Sequence, residues 1–166
     1  MRDGAALGWN AFADLRPDLA AAGRGLFYQY GVGLAFLATV DRHGGPRVHP
    51  VCPQVHDEGL FVFVIPSPKR NDLHRDGRFA LHSFPTDTNE DAFSIYGRAI
   101  LTSDADLRES LGLQFRTERE QPATPVPPEW ALFELQLTRC LLTRTTGHGD
   151  PRPQHTVWRS RLQPAG

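Results

Sequence analysis

The sequence predicts a mainly β fold, an antiparallel barrel of six to seven strands with two or three short helices on its flanks. Two observations lead there. Strand-like segments, apolar or alternating, outnumber the helical ones along the chain. The first three of them are joined by short turns, too short for the crossover that parallel strands need.

Residues 9–30 read as a helix. Phe12, Leu15, Leu19 and Ala22 form one stripe at helical spacing. Pro17 sits inside this stretch and is placed to split it, and Gly23 and Gly25 are expected to end it. GLAFLATVD, from Gly33, is the first strand, and RHGG is its turn. PRVHPVCPQVH alternates but holds Pro50 and Pro53, so it should be irregular or have one open side. DEG turns into LFVFVIP, a continuous apolar run suited to a barrel wall.

SPKRNDLHRDG reads as a short helix with Ser67 at the N-cap and Pro68 in the first turn. RFALHSF and DAFSIYGRAILT are the next strands. SDADLRESLGLQF is an amphipathic helix with Ser103 as its expected N-cap. REQPATPVPPEW is a stiff extended connector within one domain of 1–166. WALFELQLTRCLLTRTT should be the longest strand, and HTVWRSRL a final short one.

Composition narrows the function. The 166 residues suit one domain, 22% are charged, and the net charge of −1 argues against nucleic acid or an acidic membrane as partner. Cys52 and Cys140 show no CxxC spacing, so they read as reduced, half-buried thiols. No apolar run approaches the length of a membrane span, and the N-terminus has no leader-like pattern, so a cytoplasmic protein is expected. The seven histidines show no tight ligand spacing, and no metal site is expected. His49 and His56 are read as lying on one strand.

No GxSxG, P-loop or GxGxxG motif is present, and no nucleophile–base pair stands out. An enzyme of this kind would rely on a cofactor for the hard chemistry. Positive charge gathers at SPKRNDLHR, where Lys69, Arg70 and Arg75 surround a helix start and Ser67 adds a hydroxyl. Exposed N–H groups there favour an anion, which makes this a candidate phosphate site that Arg47 could join. His49 is a candidate pocket-lining group, and Trp158 a candidate stacking or packing residue.

The run GLAFLATVDRHGGPRVHPVCPQVHDEGLFVFVIPSPKRNDLHRDGRFALHSF, followed by DAFSIYGRAILTSD, resembles the pyridoxamine 5'-phosphate oxidase-like, FMN-binding split-barrel family. The resemblance covers residues 34–104 well and the rest loosely. It implies a split barrel and a homodimer with FMN in a groove at the interface. It implies that Arg47, Val48, His49, Pro50 and Val51 run along the ring and ribityl parts. It implies that Ile65, Ser67, Lys69 and Arg70 hold the phosphate, with Lys69 at the family's phosphate lysine. Trp158 is the loose candidate for a residue contributed by the partner chain. The arginine-rich C-terminal substrate motif of the vitamin B6 oxidase is lacking, apart from a faint echo in WRSRL. The resemblance therefore implies a flavin-dependent oxidoreductase of unknown substrate. Its alternatives are a deazaflavin-dependent reductase on the same fold, or a flavin- or haem-binding protein without turnover.

Overall fold

The computed structural model describes residues 4–161. The N-terminal stretch is two helices, α1 (Trp9–Leu15) and α2 (Pro17–Phe27), parted where Pro17 takes the first position of the second. The two glycines do not end α2, which runs through both to Phe27. Gly23 is there for packing: a Cβ on it would stand 2.4 Å from the Phe93 ring.

Eight strands follow in one sheet: β1 (Ala35–Val40), β2 (Pro46–Val51), β3 (Pro53–His56), β4 (Gly59–Val64), β5 (Arg78–Ser83), β6 (Ala92–Thr102), β7 (Ala131–Arg144) and β8 (Gln154–Arg159). Helix α3 (Pro68–Arg75) joins β4 to β5, and α4 (Ala105–Thr117) follows β6. The additional strand and helix relative to expectation are both splits. Pro17 divides the first helix, and a break at Cys52 divides the proline-bearing second strand. His49 and His56 thus lie on two strands, not one. The final strand ends at Arg159, and Leu162 of its predicted range lies outside the described residues.

The sheet order is β2-β1-β5-β6-β7-β4-β3, every pairing is antiparallel, and β8 also pairs with β7. Strands β2 and β3 stand at opposite ends of this order yet are consecutive in sequence. The chain itself therefore closes the barrel through Cys52, where no ladder does. An end strand has one side free of ladder bonds, which is why β2 tolerates its prolines.

The split arises along β7. Its first residues pair with β4 up to Glu134, and its last ones with β8 from Arg139 onward. Between them Leu7 exchanges two backbone hydrogen bonds with Leu137, at 2.8 and 2.7 Å. Strand β6 bends at a bulge after Tyr96, where Gly97 lies against β7 so closely that a Cβ would meet the Gln136 carbonyl oxygen at 1.8 Å.

The main core fills the barrel with Leu37, Leu60, Val62, Leu81, Ile95 and Leu135, and α1 and α2 close it with Trp9, Phe12 and Phe27. A smaller core lies outside β4, where Phe61 and Phe63 meet Leu111 of α4 and Val126 of the proline connector. Both faces of β4 are therefore covered, which explains its unbroken apolar run. Helix α4 is capped by Asp104, whose side chain accepts from the Leu107 amide at 3.0 Å; the cap falls one residue beyond the expected Ser103.

Candidate functional site

The chain leaves β4 through Ile65 and Pro66 and turns into α3. Ser67 holds the N-cap position in extended backbone, but its hydroxyl donates to the Ile65 carbonyl at 2.8 Å and does not cap the helix. Pro68 has no N–H, and the Arg70 and Asn71 amides donate to the Ser67 carbonyl. This leaves the Lys69 amide as the first-turn donor without an intrahelical partner. The Lys69 side chain enters no ion pair among the described residues.

One turn further along, α3 points Asp72 into the barrel. Asp72 is 4% exposed and accepts from the Thr39 hydroxyl at 2.9 Å, Arg47 Nε at 2.9 Å and an Arg75 guanidinium nitrogen at 3.3 Å. Burial by itself would raise its carboxyl, but the bonds from Arg47, Thr39 and Arg75 outweigh that and hold it below the usual carboxylate range. Arg75 also donates to the Val40 carbonyl. The result ties α3 to the ends of β1 and β2. Beside it opens a groove of about 370 Å³, lined by Asp41, Arg42, His43, Arg47, Asn71 and Arg75 among others.

His49 lies two residues beyond Arg47 on β2, on the same, inward face. The register sets Arg47 opposite the buried Thr39 and His49 opposite the buried Leu37. His49 Nε2 is buried and has no hydrogen-bond partner. Burial lowers the imidazole's proton affinity, and the charges of Lys69 and Arg47 lower it further. The ring is therefore neutral near pH 7, with an unspent polar atom beside two cations.

The structure gathers part of the predicted set and disperses the rest. Arg47, His49 and Lys69 share one electrostatic neighbourhood, and Val51 is buried in the core below them. Val48 and Pro50 face outward; Val48 is 61% exposed and Ile65 46%. Arg70 turns away from the groove and donates to the Glu129 carbonyl of the proline connector at 2.9 Å. Trp158 stands opposite Cys140 in the β7–β8 ladder and packs on Phe12, ring centroids 4.9 Å apart, so it is engaged within its own chain.

Thr39 and Asp72 were not foreseen. Asp72 is spaced three residues before Arg75 on α3, a signal visible in the sequence. Its burial, and its bonds to two other strands, were not.

No protein-family model and no curated protein matches the chain. Solved structures do. A protein related to general stress protein 26, of the pyridoxinephosphate oxidase family, from Clostridium acetobutylicum aligns at TM-score 0.62 and 12% identity over 86% of this chain and 96% of its own. A heme binding protein from Mycobacterium smegmatis aligns at TM-score 0.60 and 16% identity over 82% of this chain; the match spans 57% of that protein. An F420 reductase aligns at TM-score 0.51 and 18% identity over 64% of this chain and 87% of its own. Together with the sheet order and the divided pairing along β7, these similarities identify the fold as a split β-barrel, the fold shared with a protein of the pyridoxinephosphate oxidase family.

Proposed function

We propose that this chain binds FMN through the start of α3 and the inward face of β2, and serves as a flavin-dependent oxidoreductase of unknown substrate. The observation that carries the reading is Lys69. It is a cation with no carboxylate partner among the described residues, beside an unpartnered His49 Nε2 and next to Arg47. A phosphate there would accept from the Lys69 ammonium and from its amide, and would give His49 Nε2–H an acceptor. Arg47 is held in position by Asp72, and Ser67 shapes the turn. Ile65, where the chain leaves β4 ahead of α3, offers exposed apolar surface for a planar ring. A bound flavin supplies the redox chemistry; the chain supplies binding and orientation.

The same reading includes a homodimer. On the outer face of the sheet, Pro50, Phe36, His82, Ser94, Leu141 and Val157 stand in one cross-strand row. Phe36 stacks on Phe84 at 4.4 Å, and Val48 and Val157 are more than half exposed. This surface supports a second copy as its cover. Trp158, packed against its own core, supports a role in setting β8 rather than one in the partner's site.

The fold neighbours bring a second reading, a deazaflavin in place of FMN, and a third, haem without turnover. Titration of the purified protein with FMN, F420 and haem separates the three. Saturable quenching of FMN fluorescence, weakened by Lys69→Ala about 10- to 150-fold, is the expected result, from about 1.5–3 kcal/mol for a charge-assisted contact. Saturation by F420 or haem alone would replace FMN with that group. Equal FMN affinity in Lys69→Ala would remove the lysine from the site. A monomer by light scattering at micromolar concentration would remove the dimer.

A further inference from the structure

A second concavity lies on the outer face of β5, β6 and β7, and it shares no lining residue with the groove at Arg47. Its volume is about 590 Å³, and Arg78, Arg98, Arg139, Tyr96, Gln136 and Thr138 contribute to its walls. The bulge after Tyr96 leaves Thr138 outside the register, which opens the sheet surface at this point.

The charges here are arranged against the interest of the sheet. Arg78 stands directly opposite Arg98, and Arg139 directly opposite Arg159. Like charges facing each other across a ladder destabilise it. A chain of net charge −1 has no general excess of cations to dispose of. Compensation is partial. Asp76 takes the Arg78 guanidinium with two bonds, at 2.6 and 2.7 Å, and its carbonyl accepts from Arg98 at 3.1 Å. Among the described residues no carboxylate pairs with Arg98, Arg139 or Arg159.

Arg139 is held flat. Its guanidinium carbon lies 3.9 Å from the centroid of the Tyr96 ring, and its Nε is buried without a hydrogen-bond partner. Stacking fixes the plane of the fork and leaves its donors unspent, which is the arrangement that grips an oxyanion through two N–H bonds.

We infer that this concavity binds a small polyanion, a molecule with phosphate or carboxylate groups carrying at least two negative charges. Arg139 holds one oxyanion group from its stacked position, and Arg98 and Arg159 neutralise the rest. The site shares no residue with the Lys69 neighbourhood or with the outer row assigned to a second copy, so it is tested apart from the FMN reading.

The test is a titration of the ¹⁵N-labelled full chain with inorganic pyrophosphate at constant ionic strength, following the arginine Nε–H resonances. Citrate in a parallel titration distinguishes a carboxylate ligand from a phosphate one. The Arg98 and Arg139 signals should shift and saturate. Arg98→Gln and Arg139→Gln should each raise the pyrophosphate dissociation constant about tenfold or more, and Lys69→Ala should leave these shifts unchanged. Arg139→Lys, which keeps the charge and loses the fork, should fall between. Linear, unsaturated shifts of every exposed arginine would overturn the inference, as would binding lost in Lys69→Ala and kept in Arg98→Gln. If the Arg139 variants lose their near-ultraviolet circular dichroism, Arg98→Gln, at an exposed position, decides alone.

Discussion

Replacing Asp72 with Asn tests the node that joins α3 to the barrel. The side chain keeps its shape and loses its charge and one acceptor oxygen. Thr39, only 2% exposed, has no water to turn to, so its lost or weakened bond costs about 1 kcal/mol. Arg47 and Arg75 have side chains 36% and 40% exposed, so water recovers much of what each gives up. After that discount the Arg47 bond contributes about 1 kcal/mol and the longer Arg75 contact about 0.5 kcal/mol. The sum is about 2–3 kcal/mol, or a melting temperature lower by about 5–10 °C in a domain of this size. Urea denaturation followed by circular dichroism measures it.

The pH dependence supplies an internal control. The folded carboxyl is held below its ordinary 3.8, so its contribution is fully present above that value and is lost as pH falls through the folded one. The gap between wild type and Asp72→Asn should therefore stay level from about pH 5 to 8 and close only in stronger acid. A loss under about 0.5 kcal/mol would show that solvent already satisfies the guanidinium groups, and the node would not be what orders this end of the barrel.

His49 carries a linkage of the same sign in a higher pH window. Its folded proton affinity is depressed below that of the free imidazole at 6.5, so it adds stability above that pH, and the stability fades as pH falls from 6.5 toward the folded value. His49→Gln should flatten that slope in stability curves taken between about pH 5 and 7; an unaltered slope would assign it to other groups. Gly97→Ala should destabilise by about 3 kcal/mol or more, because the new methyl would overlap the Gln136 carbonyl and force the bulge to move. A melting temperature within about 2 °C of wild type would mean that β6 and β7 separate there without cost. Burial pushes the Cys140 thiol up to about 11, so it should resist a thiol-specific disulfide reagent at pH 8 until the protein unfolds. Rapid labelling in the native state, located by peptide mapping to Cys140, would contradict its place in the core.

Much of this architecture follows from local pattern. Alternation and turn chemistry mark where strands start and stop, since a strand with one buried face must alternate and a tight hairpin needs residues that tolerate its turn. Pro17 cannot stand inside a helix, so the break ahead of α2 is legible, and the cations around the start of α3 mark where an anion is expected. Local pattern misleads where one residue serves a distant one. Gly23 and Gly25 look like a helix end, yet α2 continues through both, with Gly23 making room for Phe93. Ser103 and Asp104 are both good caps, and only the backbone geometry selects Asp104.

The site divides in the same way. Which residues carry charge near α3 is a matter of sequence. Tertiary structure alone decides that Arg70 turns to Glu129, that Trp158 packs on Phe12, and that Arg47 is committed to a buried Asp72. It alone brings Arg78, Arg98 and Arg139, drawn from three strands, around one concavity. The physical reason is range. Propensity and periodicity act over a few neighbouring residues, whereas the register of β5, β6 and β7 depends on partners 12 to 51 positions away, and so appears only once the barrel has closed.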